Sequence, residues 1–409
     1  MTRRFALLTA APAAVLALCI TAFTSSPAAP PTILFGSAVS LTGPLAKEGG
    51  LTKEGYEFWA DYVNAHGGLK VGKTSYAVAI KFYDDESLPE NAAQLATRLI
   101  DQDHVQFLLG PYGTGTSFTV AQIAERKHIP MVQGNGAADK LFNSGFTYSF
   151  AVLSPARQYL VGILEMALAQ KPRPQTLAVT YASDAFSQDV ASGGVDWATA
   201  HGLKIVYNNK YPPNATDVSS LISAMKATDP DIILNAGHLQ DALLIHKGLH
   251  EQNVQAKLYG YSVGSDTPDF VQTLGEDANG VCGGSQWSDA VRYVGIPGFY
   301  QQPRAFSEAF ARVYHRPADY HNADAVAAGL AFQYALAAAG TVDPVKVRDA
   351  LAKLNVMTFY GPITFDSRGV NMTKPMLVQQ IQHGRLVTVW PRDIAETKPE
   401  YPAPAWGHR

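Results

Sequence analysis

From Thr32 onward, short runs of β-branched and aromatic residues alternate with longer segments of helical periodicity, and the alternation starts afresh near Ser154-Pro155. Strand–helix–strand repeats of this kind build crossover units on a largely parallel sheet with helices on its faces. The first series predicts strands over 33–39, 76–83, 107–109 and 131–133, with helices over 52–65, 89–102 and 116–127 between them. Gly67-Gly68 stops the first of these helices, while Ser87 and Pro89 start the second. The second series predicts strands over 177–181, 204–210, 232–235, 257–259 and 281–286, with helices over 156–169, 186–201, 219–226 and 239–252. Helices over 303–314, 323–339 and 344–354 have few strands of their own and are expected to cover the first lobe; a hairpin over 376–389, turning at His383-Gly384, returns to the second. The fold class is therefore α/β, with two Rossmann-like lobes, parallel-rich sheets and a multi-strand hinge. A cleft between such lobes, lined by loops at the carboxyl ends of parallel strands, is the natural ligand site.

Size and charge agree with that plan. The chain has 409 residues and 47% hydrophobic content, enough for two medium domains. Its 32 Lys+Arg against 35 Asp+Glu give a net charge of -3, so no general field attracts a phosphate backbone, and nucleic acid is not an expected partner. Arg3 and Arg4 precede an apolar run over 5–23, and Ser25-Ser26-Pro27-Ala28-Ala29 follows; charged, apolar and cleavable segments in that order predict an export signal over 1–29. Cys19 falls inside it, which leaves Cys282 alone: no intrachain disulfide and no thiolate-rich metal site are expected in the mature chain.

Catalytic patterns are fragmentary. Gly260-Tyr261-Ser262-Val263-Gly264 fits a nucleophile elbow, yet that motif needs a helix directly after the serine, and Ser265-Asp266-Thr267-Pro268 delays it. His246 and His250 are spaced to share a metal but lack an evident third ligand, and Asp84-Asp85-Glu86 suits a cap at a strand end. No enzyme, cofactor or metal is expected; a serine hydrolase using Ser262 is the alternative.

The segment Ser37-Ala38-Val39-Ser40-Leu41-Thr42-Gly43-Pro44, with Val63-Asn64-Ala65-His66-Gly67-Gly68 one helix later, resembles the opening of the leucine/isoleucine/valine-binding protein family. Those are type I periplasmic substrate-binding proteins of ABC importers. The resemblance continues in family order through Leu108-Leu109-Gly110-Pro111, Ile129-Pro130-Met131-Val132, Tyr211-Pro212, Thr216-Asp217 and Phe359-Tyr360-Gly361-Pro362-Ile363-Thr364-Phe365. It implies a periplasmic, monomeric receptor with three interlobe crossings, expected near Ser154, Gly284 and Gly361. Lobe 1 then comprises 30–153 and 286–360, and lobe 2 comprises 154–285 and 361–409. An ABC permease and ATPase are the implied partners, with a signalling partner as the alternative.

The resemblance also implies a site. A ligand carboxylate is held by the loop after strand 107–109, here Tyr112, Gly113 and Thr114, and by the loop Asn135-Gly136-Ala137 after 131–132. Unpaired N–H groups at a helix start suit an anion. Thr114 matches a family hydroxyl, whereas Ala137 stands where amino-acid binders commonly have threonine. On the second lobe, Phe186 matches an aromatic wall, with His238 and Tyr261 at neighbouring strand ends; Glu48 is expected in a loop near the ligand. The glutamate that pairs with a ligand ammonium in α-amino-acid binders has no match in Tyr261-Ser262, leaving Asp184, Asp266 or Asp324 as substitutes. The expected ligand is a small carboxylate solute, either a hydrophobic or aromatic amino acid or an aromatic acid lacking the amine, with an amide as a further option.

Overall fold

The computed structural model describes residues 1, 2 and 30–407. The expected signal segment otherwise lies outside the described residues. Strand β1 (Thr32–Val39) is buried along nearly its whole length because it has strands on both edges and helices on both faces. Chain order continues with α1 (Ala46–Ala65), β2 (Leu69–Val71), β3 (Thr74–Asp84), α2 (Pro89–Asp101), β4 (Phe107–Leu109), α3 (Thr114–Lys127), β5 (Met131–Gln133), α4 (Asp139–Phe142) and β6 (Ser149–Ala151). These strands form a sheet in the order β2-β3-β1-β4-β5-β6, parallel except for β2 against β3.

The second series opens with a short 3₁₀ turn (Ala156–Gln158) and α5 (Val161–Leu168), so the helix expected over 156–169 is broken in two. It proceeds through β7 (Thr176–Ala182), α6 (Ala185–Ala200), β8 (Lys204–Tyr211), α7 (Ser219–Lys226), β9 (Ile232–Ala236), α8 (Leu239–Glu251), β10 (Leu258–Tyr261), α9 (Pro268–Leu274) and β11 (Val281–Ser285). After α10 (Pro303–Tyr314), α11 (Tyr320–Ala339) and α12 (Pro344–Leu351) come β12 (Asn355–Thr358), β13 (Gly361–Thr364), β14 (Leu377–Gln382) and β15 (Arg385–Trp390). The second sheet runs β15-β14-β11-β10-β9-β7-β8; β14 is antiparallel to both of its neighbours, and the strands from β11 to β8 are parallel.

α11 packs along α1, and its Phe332 joins Phe35, Trp59 and Phe107 in the first lobe's core. The late helices thus cover lobe 1, as their lack of strands predicted. The chain leaves the first lobe after β6, returns to it after β11 through α10–α12 and leaves again before β14. The third crossing is not at Gly361. β13 folds back on β12 as a hairpin, and the chain then follows β6: Val370 bridges Ala151, and Asn371 Nδ2 donates to Val152 O at 3.0 Å. The crossing therefore falls around Lys374. One residue from each crossing meets the others here. Ser154 N donates to Gln286 Oε1 at 3.0 Å, Ser154 Oγ donates to Lys374 O at 2.7 Å, and the Lys374 ammonium donates to Gln286 O.

Candidate functional site

The loop after β4 reaches α3 through Gly113, whose φ of +86° is readily adopted only by glycine. That turn puts Thr114 at the first helical position. Its Oγ1 accepts hydrogen bonds from Ala137 N at 3.2 Å and Ala138 N at 3.3 Å, tying together the two loops expected to hold a carboxylate. The second loop is organised by Gln133, whose Oε1 accepts from Asn135 N at 2.7 Å and Gly136 N at 2.5 Å. Asn135 Nδ2 donates to Thr52 Oγ1 at 3.1 Å, while its Oδ1 is buried without a partner.

Glu48 is in the first turn of α1, not in a loop. The helix expected over 52–65 thus begins earlier, at Ala46. Here a Cβ on Gly49 would lie 1.8 Å from Ser40 O, so glycine lets the helix begin against that carbonyl. Glu48 is 1% exposed and its Oε1 accepts from Leu239 N at 3.0 Å, across the gap at the start of α8. A carboxylate there also meets the positive end of the helix dipole. The lobes touch again where Asp139 N donates to Asp189 Oδ2 at 2.7 Å and where Lys47 pairs with Asp269 at 2.9 Å.

Tyr112 projects from the first lobe between two histidines. Its ring lies 5.7 Å from that of His238 and 5.5 Å from that of His321, and its hydroxyl meets His238 Nδ1 at 3.0 Å. His238 precedes α8, where its N–H donates to Asp241 Oδ2 at 2.9 Å. Beyond it, Phe186 in the first turn of α6 lies 5.4 Å away and meets the edge of Tyr159 at 5.2 Å. Tyr112, Asn135, Tyr159, Phe186, His238, Val263 and Tyr320 line a small, partly open cavity of about 10 Å³ between the lobes.

Four of the sequence-predicted residues, Tyr112, Asn135, Phe186 and His238, therefore meet around one cavity. Gly113, Thr114, Gly136 and Ala137 belong to the loops that carry its first-lobe walls. Tyr261 does not join them. Successive side chains of β10 face opposite ways, and this one enters the lobe 2 core, with its hydroxyl 2.7 Å from His246 Nδ1 and its ring 5.6 Å from Phe270. Ser262 does not adopt an elbow: its Oγ accepts from Gly237 N at 3.0 Å and donates to Gly237 O at 2.9 Å, and α9 waits until Pro268. Tyr159, Val263, Tyr320 and His321 were missed. The cap Asp319, whose Oδ1 accepts from His321 N at 2.9 Å with Asn322 completing the box, was the available signal that α11 begins early enough to place Tyr320 and His321.

Charge is concentrated behind the aromatic walls. Burial pushes the Asp266 carboxyl up to about 7, against the opposing pull of His321. Burial likewise raises Asp324 and lowers its neighbour Lys374, each partly restored by the other's charge. For His321, burial disfavours the charged ring, but Asp319, Asp266 and Glu48 together outweigh it and raise its pKa.

Two crossover-built lobes, joined by three chain crossings and meeting around a small cavity, define a solute-binding protein of the two-lobed class. Residues 32–385 match the family model described as periplasmic binding protein, and the chain belongs to that family. It is 26% identical to "Leu/Ile/Val-binding protein homolog 8" of Brucella suis biovar 1, over 93% of this chain and 95% of that protein. Among solved structures, it is similar to a branched-chain amino acid transporter substrate-binding protein from Streptococcus pneumoniae in complex with isoleucine, with TM-score 0.77 and 20% identity over 91% of this chain and 100% of that one. It is also similar to an R. palustris solute-binding protein in complex with benzoate, with TM-score 0.74 and 18% identity over 91% of this chain and 97% of that one.

Proposed function

We propose that this chain is the periplasmic receptor of an ABC importer, capturing a small carboxylate solute between its lobes and presenting the closed form to a permease and its ATPase. The observation that carries the reading is the meeting of Tyr112 and His238 across the gap, at the wall of a cavity whose first-lobe side begins at the N-terminus of α3. Helix-start amides and the Thr114 hydroxyl suit a carboxylate, and Tyr112, Phe186 and His238 suit an apolar or aromatic body. The isoleucine and benzoate complexes of structural neighbours mark the two ligand types considered. Closure supplies the signal, because only a closed receptor offers surfaces of both lobes in one arrangement. Micromolar capture corresponds to about 8 kcal/mol, within reach of several donors on a carboxylate plus one buried apolar group. The role requires no catalytic chemistry.

A thermal-shift screen of amino acids, aromatic acids and amides, followed by calorimetry on the hits, tests this, since a specific solute raises apparent stability by mass action. Saturable binding of a carboxylate, weakened by Thr114→Ala, is expected. Ester hydrolysis that Ser262→Ala abolishes would contradict it.

A further inference from the structure

Two carboxylates cross the gap between the lobes in opposite directions. Glu48, on α1 of lobe 1, reaches lobe 2, where its Oε1 accepts from Leu239 N at 3.0 Å at the start of α8. Asp189, on α6 of lobe 2, reaches lobe 1, where its Oδ2 accepts from Asp139 N at 2.7 Å beyond β5. Each lobe thus sends an acid to a main-chain donor of the other. Hydrogen bonds with a charged partner are the stronger ones, and the first N–H groups of a helix have no acceptor within it. The exposed pair Lys47–Asp269 adds a contact of lesser weight.

Neither acid lines the cavity, yet both are tied to its walls. Glu48 O accepts from Thr52 Oγ1 at 2.9 Å, and Thr52 Oγ1 accepts in turn from the lining residue Asn135, at 3.1 Å. On lobe 2, Leu239 directly follows the lining residue His238, and Asp189 is one helical turn on from the lining residue Phe186. Glu48 is also held in place from behind, because Gly49 lets α1 begin directly on Ser40 O. The same movement that brings the walls together therefore seats both acids. Their contacts are made between groups of the chain itself, so what they contribute to closure does not depend on what the cavity holds.

We propose that Glu48 and Asp189 are closure latches, positioning residues through which the lobes populate the closed arrangement before a solute arrives, so that the solute shifts an existing equilibrium. The proposal rests on the cleft-capture reading above and adds what holds the lobes together besides the solute. Pulsed electron spin resonance on the full mature chain tests it, with spin labels on Glu90→Cys in lobe 1 and Ser192→Cys in lobe 2, both exposed positions, and with no solute added. The labelled chain without further change shows a population at the distance of the closed lobes. Glu48→Ala lowers the ratio of closed to open by about tenfold to a hundredfold, Asp189→Ala lowers it as well, and Glu48→Gln, which keeps a neutral acceptor, lowers it less than Glu48→Ala. A fold-stabilising role alone would lower the melting temperature and leave this ratio unmoved. Where Glu48→Ala fails to fold, Glu48→Gln and Asp189→Ala carry the comparison. Absence of the closed population from the chain with neither acid altered, or a ratio that stays within about twofold in every folded variant, overturns the proposal. Since no solute enters the measurement, that result leaves capture in the cleft standing, and failure of capture in the thermal-shift screen leaves the latches measurable.

Discussion

The hydroxyl of Tyr112 and Nδ1 of His238 are 3.0 Å apart, one carried by the first lobe and the other by the second. The contact continues through the rings, with His238 5.4 Å from Phe186 and Phe186 5.2 Å from Tyr159. A side chain from the loop after β4 thus reads the position of α8 and α6. Any solute that settles against Tyr112 also bears on the closure of the lobes.

Tyr112→Phe keeps the ring and removes the hydrogen bond. A bond of this kind is worth about 0.5–1.5 kcal/mol, so solute affinity is expected to fall by about twofold to tenfold in calorimetry. Tyr112→Ala removes the wall as well and is expected to cost more. Equal affinity in the unaltered chain and Tyr112→Phe would show that this bond does not contribute to closure.

Glu48→Ala takes away the acceptor for Leu239 N and leaves that buried donor at the start of α8 unmatched. A loss of about 1–3 kcal/mol in urea denaturation is expected. Glu48→Gln retains a carbonyl oxygen for the same N–H and is expected to recover most of it.

Asp266 makes stability depend on pH. Its folded-state pKa of about 7 is above the ordinary 3.8, so its contribution is fully present below about pH 4 and is lost as pH rises through 7. The groups that face it are His321 and Asp319 from α11, the Gly264 N–H in its own loop, and the rings of Tyr112, Tyr159 and Tyr320. Asp266→Asn mimics the protonated acid. The stability of the solute-free chain relative to that variant is therefore expected to fall between pH 4 and pH 8, read by thermal unfolding across that range. A difference that does not change with pH would show that the carboxyl titrates normally.

Gln286 links two crossings, since its Oε1 accepts from Ser154 N at 3.0 Å and its Nε2 donates to Ser154 O at 3.2 Å. Gln286→Ala leaves buried backbone groups unmatched, and a loss of about 1–3 kcal/mol in urea denaturation is expected. Gln286→Glu would add a carboxylate beside Lys374, so its unfolding curve separates shape from charge.

The alternation of periods made the two lobes legible, because parallel strands buried on both faces leave continuous apolar runs between amphipathic helices. What the sequence obscured was local. The helix expected over 52–65 lacked its first turns, Ala46–Leu51, which pack Gly49 directly on Ser40 O. Tyr261 looked like a strand-end wall, but side-chain alternation on β10 turned it toward His246. The 3₁₀ turn Ala156–Gln158 broke an apparently continuous helix near Tyr159. Pairings such as Glu48 with Leu239, 191 positions apart, depend on how the lobes meet and carry no local signal.

The most direct measurement is a crystal structure with a solute whose binding has been verified in solution. The expected result places that solute between the lobes, in van der Waals contact with both Tyr112 and Phe186. A solute bound on the outer face of either lobe, touching neither ring, would contradict capture by closure.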